Sequence, residues 1–145
     1  MDDENKNRLL KAKLSEIVKF HRGWGVGIRN HFKLWSNVGL RKDCGSPSMH
    51  PDDASTVIMK AVWYHLHGQP ASNARIEDYQ KYLEQAVEKM YYEFRCQKSG
   101  VRKSDEAIYN FLKRFSFFNF FKMDFKEYRT LASDLDAKKP IESIE

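Results

Sequence analysis

Apolar residues recur along most of this chain at three- and four-residue steps, the spacing of one face of an α-helix. Leu10, Leu14, Ile17, Val18 and His21 form the first such stripe, which predicts an amphipathic helix from about residue 5 to residue 20. Gly23, Gly25 and Gly27 then interrupt it. A second helix is expected over about 26–36, with Ile28, Phe32 and Trp35 on one face and Asn37 and Gly39 as its stop. Residues 39–50 read as a loop rich in Gly, Ser and Pro.

The third helix has the clearest start. Pro51 suits the first helical position, because its φ is preset and it has no N–H to leave unbonded. Asp52 and Asp53 follow in the first turn, where the helix dipole favours negative charge. Gly68 and Pro70 end this helix. The longest stripe, Ile76, Tyr79, Leu83, Ala86, Val87, Met90 and Phe94, predicts a fourth helix over about 74–97. A fifth starts at Ser104, with Asp105 and Glu106 in its first turn and Ile108, Phe111, Leu112 and Phe115 facing inward. A sixth starts near Asp124, with Glu127 three residues on as in a capping box. The expected fold is all-α, a single compact bundle of about five to six helices over 1–145, with residues 1–4 and 138–145 as tails.

Composition agrees with one core-bearing domain. The chain has 145 residues, 41% of them hydrophobic and 14% aromatic, enough to fold without covalent staples. Its two cysteines, Cys44 and Cys96, make neither a CxxC pair nor a framework, which points to a reducing compartment. The start, Met1-Asp2-Asp3-Glu4-Asn5, lacks the basic and apolar regions of a secretory signal. No apolar run is long enough to span a bilayer. A cytoplasmic protein without membrane contact is therefore expected.

The net charge of +5 sits in the first third, where ten Lys/Arg face five Asp/Glu in residues 1–50. That distribution permits a nucleic acid or an acidic partner without requiring either. No metal is implied: His21, His31, His50, His65 and His67 show no metal-ligand spacing, and no cofactor motif is present. Gly23-Trp24-Gly25-Val26-Gly27 precedes a helix but matches no nucleotide-binding pattern. Cys44 lies near His50 in sequence, yet a nucleophile–base pair is a matter of spatial contact.

Two clusters stand out. Arg29, Asn30, His50, Asp52, Asp53 and Ser55 crowd around two helix starts. They read either as helix caps and an Arg–Asp pair or as a small polar pocket for an anionic ligand. Phe117, Phe118, Phe120 and Phe121, flanked by Lys113, Arg114 and Lys122, are too aromatic for an exposed loop and read as core or as a candidate interface.

The series Trp24-Gly25-Val26-Gly27-Ile28-Arg29-Asn30, Leu34-Trp35, and His50-Pro51-Asp52-Asp53-Ala54-Ser55 resembles that of a family of small uncharacterised bacterial proteins. The resemblance covers roughly residues 20–68, and His31-Phe32-Lys33 departs from the family pattern. It implies a bacterial or phage origin and marks Arg29, Asn30, His50, Asp52, Asp53 and Ser55 as positions of interest; it implies no activity. With no complete catalytic signature, the leading expectation is a binding protein, with a protein partner or a second copy of itself, in an immunity, antitoxin or phage-defence setting. A small enzyme acting on an anionic substrate through the Arg/His/Asp cluster is the second expectation. Nucleic-acid binding through the basic first third is the third.

Overall fold

The computed structural model describes residues 1–96, 100–114 and 123–141. The all-α expectation holds: seven α-helices and no strand are present among the described residues. The chain divides into two compact units, residues 1–79 and 80–145.

The first unit opens with α1, Asp3–Lys11, capped by Asp2, whose carboxylate accepts from the Asn5 N–H at 2.8 Å. The apolar stripe predicts a helix running on to residue 20. Instead α1 stops at Ala12, whose backbone is extended, and the chain resumes as a 3₁₀ turn over Leu14–Phe20. Two bonds fix this break. The Glu16 carboxylate accepts from the Lys13 N–H at 3.1 Å, and the Trp63 indole donates to the Ala12 carbonyl at 2.8 Å. The break shifts the register, so Leu9 enters the core while Leu10 and Val18 face solvent; Ile17 is the one expected stripe residue that is fully buried.

A single π turn, His21–Gly25, leads into α2, Val26–His31. The periodicity carries the second helix to residue 36. It ends five residues sooner because Lys33 adopts a left-handed conformation (φ 49°), which no helix can continue. Leu34 consequently takes the buried place, and Phe32 and Trp35 turn outward. The expected loop over 39–50 contains a further helix, α3, Val38–Cys44, with the Asn37 side chain accepting from the Leu40 N–H at 3.0 Å. Gly45 then turns the chain at φ 147°, and Ile76 donates its N–H to the Cys44 carbonyl at 3.1 Å. Only glycine fits there, since a Cβ would lie 2.1 Å from the Ile76 carbonyl oxygen.

The helix α4, Pro51–Leu66, is the hub of this unit. It starts at Pro51 as expected, and its first half is buried on several sides, with Ala54, Ser55, Val57 and Met59 all covered. A 3₁₀ turn over Ala71–Ala74 packs on it.

The second unit contains α5, Tyr79–Arg95, apart from its first residue, with α6, Asp105–Leu112, and α7, Phe125–Lys138. The α5 start lies five residues later than expected. The Ser104 cap and the Asp124–Glu127 capping box are both in place. Val87, Tyr91, Ile108, Leu112, Tyr128, Ala132 and Leu135 form the core of this unit, with Phe94 and Phe111 stacked beside it at 3.6 Å.

Candidate functional site

The residues singled out around the two helix starts do meet, except for Asn30. The N-terminus of α4 is capped by His50, whose Nδ1 accepts from the Asp52 N–H at 3.2 Å. That bond requires a lone pair on Nδ1, so the imidazole proton in this arrangement is on Nε2. One turn into α4, Ser55 is fully buried; its hydroxyl donates to the Asp52 carbonyl at 2.8 Å and accepts from Arg29 Nη1 at 3.2 Å. Arg29 Nε lies 3.0 Å from Asp52 Oδ1, and the arginine side chain is only 11% exposed. Gly25 of the π turn lies against this pair: a Cβ there would stand 3.4 Å from Arg29 Nη1 and 3.6 Å from Ser55 Oγ, within ordinary van der Waals contact.

Asp52 is thus the meeting point. Its second oxygen lies 3.9 Å from His21 Nε2 and 3.8 Å from His50 Nδ1. Asp53 points elsewhere: its Oδ2 accepts from the Tyr79 hydroxyl at 2.6 Å, and the same hydroxyl accepts from the His50 N–H at 3.0 Å. Burial pushes the Asp53 carboxyl above its ordinary range, and the hydrogen bond from Tyr79 opposes the shift. Asn30 is exposed and stands outside the network.

This geometry favours the clamp over the pocket. Two faces of the Arg29 guanidinium are already engaged by a carboxylate and a buried hydroxyl. An anionic ligand would have to displace the Asp52 carboxylate and compete with Ser55 for Arg29. The proximity of Cys44 and His50 in sequence produces no nucleophile, since the Cys44 thiol is buried against the Ala54 carbonyl at 3.8 Å and burial pushes it up to about 11. Among the described residues no cluster of three or more His, Cys, Asp or Glu side chains is placed to hold a metal.

Two features escaped the sequence reading. One is Trp35. Its expected inward face depends on an unbroken helix, and with the break at Lys33 it is 65% exposed, alongside Phe32 at 42% and Val38 at 48%. Its ring meets the His50 imidazole edge-on at 5.4 Å. The other is a polar knot in the second unit. Asp136 accepts from the Tyr91 hydroxyl at 2.8 Å, from Arg95 Nη1 at 2.9 Å and from Arg102, which also donates to Asp105 at 2.7 Å. Burial alone would raise the Asp136 carboxyl, but the bonds from Tyr91, Arg95 and Arg102 outweigh it and hold it below the carboxylate range. These residues lie up to 45 positions apart, so no sequence window contains them.

The candidate interface at Phe117, Phe118, Phe120 and Phe121 lies outside the described residues. No helix among those described is long and apolar enough to cross a membrane. No curated protein and no solved structure matches the chain. Residues 1–66, which carry α1 to α4 and the whole Arg29–Asp52–Ser55 clamp, match a family described as a domain of unknown function (DUF6794).

Proposed function

We propose that this chain is a bacterial cytoplasmic binding protein that engages a protein partner through the turn between α2 and α3. One observation carries the reading: Phe32, Trp35 and Val38 expose large apolar side chains within seven consecutive residues. Tryptophan is rarely left this open in a folded domain, and exposed aromatic clusters mark contact surfaces. The turn is also rigid. The Asn37 side chain donates to the Phe32 carbonyl at 3.2 Å, and the Leu34 N–H donates to the Arg29 carbonyl at 3.0 Å. Little conformational freedom would be lost on docking, which is what a binding anchor needs. The Arg29 clamp supports this role from beneath by joining α2 to the start of α4.

The enzyme reading lacks such support, because its cation is neutralised and largely covered. The test is site-specific photocrosslinking of the full chain in bacterial cells, with a benzophenone-bearing residue replacing Trp35 or, as control, the exposed Lys11 of α1. The expected result is a discrete protein adduct from position 35, insensitive to nuclease and absent from position 11. An adduct of twice the chain's mass would identify a second copy as the partner. No adduct, or one removed by nuclease, would reject the reading.

A further inference from the structure

The exposed turn lies in a stretch without acids. From Ile17 to Lys42 the chain carries Lys19, Arg22, Arg29, Lys33, Arg41 and Lys42, and not one Asp or Glu. The fold then sorts these cations. Arg29 is spent on Asp52, Arg41 turns inward to the Met49 carbonyl at 3.2 Å, and Lys19 pairs with Glu16 at 2.8 Å. Among the described residues Arg22, Lys33 and Lys42 form no ion pair and are exposed. One of these three lies within the apolar cluster and another just beyond it. Lys33 stands between Phe32 and Leu34, and Lys42 follows Val38 by four residues on α3, hence on the same helix face. The first acid reached along the chain is Asp43. The carboxylates beside His50 are both engaged: Asp52 is matched by Arg29, and Asp53 accepts from the Tyr79 hydroxyl.

From this juxtaposition we infer that the partner presents an acidic segment, with Asp or Glu side chains flanking a large apolar residue that packs on Trp35. The inference rests on the docking reading above and names the chemistry of its occupant. An apolar centre rimmed by uncompensated cations is complemented by an apolar anchor rimmed by carboxylates. Nucleic acid fits less well. The arginines at positions 29 and 41, whose planar forks suit phosphate, face inward, leaving Lys33 on the turn and Lys42 on α3 to neutralise a backbone. Val38 is aliphatic and offers no stacking face to a base.

The experiment selects binders to the full chain from a displayed library of random dodecapeptides, then measures their affinity for the wild type, Trp35→Ala and the double variant Lys33→Glu/Lys42→Glu. All three sites are exposed, and a melting curve for each variant verifies the fold. The expected outcome is enrichment of Asp and Glu around a large apolar residue. Affinity should drop by about tenfold or more on Trp35→Ala and by a similar factor on the charge reversal. It should weaken as salt is added to the wild type, and this dependence should shrink or invert in the double variant. Trp35-dependent peptides without acidic bias would overturn the inference and leave the docking reading standing. A selection yielding no Trp35-dependent peptide would overturn both. A single-stranded oligonucleotide of the same length, bound more tightly than any peptide and lost on Trp35→Ala, would replace the acidic segment with nucleic acid.

Discussion

Arg29 and Asp52 lie 23 positions apart in sequence and meet at 3.0 Å, joining α2 to the first turn of α4. The arginine is nearly buried and the aspartate half-exposed, so the two partners carry unequal risk. Arg29→Ala removes the donor to the buried Ser55 oxygen and the cation paired with Asp52, and is expected to destabilise the first unit by about 1–3 kcal/mol. Asp52→Ala leaves an uncompensated guanidinium in a covered site and should cost a similar amount. Denaturant unfolding of both single variants and the double variant measures the coupling. A double variant as destabilised as the sum of the singles would refute the pair.

Gly45 and Gly27 should respond in opposite ways to the same change. At Gly45 the backbone is at φ 147° and the Ile76 carbonyl blocks any Cβ, so Gly45→Ala is expected to cost more than about 2 kcal/mol. Gly27 lies within α2, and a Cβ added there would meet nothing within 4 Å, so Gly27→Ala should stabilise by about 0.5–1 kcal/mol. Thermal melts of the two variants, shifted in opposite directions, are the check.

Tyr91 and Tyr128 are both buried in the second unit, but only the Tyr91 hydroxyl is bonded. It donates to Asp136 and accepts from Arg102 Nη2 at 3.2 Å, whereas the Tyr128 hydroxyl has no hydrogen-bond partner among the described residues. Tyr91→Phe should therefore destabilise by about 1–3 kcal/mol, while Tyr128→Phe should be neutral or stabilising by up to about 1 kcal/mol. Equal losses in urea unfolding would contradict the assignment.

Acid titration should separate the two aspartates. The Asp136 carboxyl is held below its unfolded value, so its contribution is present above about pH 4 and is lost as pH falls through the folded value. Asp136→Asn is then less stable than wild type at pH 7, with the gap closing below about pH 4. Asp53 is shifted upward, so its stabilising contribution is present in acid and lost as pH rises through the folded value. Asp53→Asn keeps an acceptor for Tyr79 and sheds the buried charge. It should match or exceed wild type in melting temperature at neutral pH, and any gain should vanish in acid.

Caps and long stripes are legible in the sequence because they are local. The Pro51 start, the Ser104 cap and the Asp124–Glu127 box depend on residues within one helical turn. Two of the errors arise where a distant group intervenes. Trp63, 51 positions away, fixes the break after α1. Ile76 holds the end of α3. Periodicity also assumes that a helix continues, so one left-handed residue at Lys33 is enough to send Trp35 outward. In the candidate site the Arg29–Asp52 pair is foreseeable from charge and geometry. The roles of Ser55 and Tyr79 are not, because they rest on which atoms are buried.

The reach of Tyr79 bears on how this protein can be cut. The family match ends at residue 66, yet the hydroxyl that joins His50 to Asp53 comes from Tyr79, and the backbone that closes over Gly45 comes from Ile76. A fragment trimmed to the match would lose both, leaving the capping residue of its central helix without its tether and the end of α3 open to water. Expression boundaries, limited-proteolysis sites and any domain swap involving this segment should be placed beyond Tyr79.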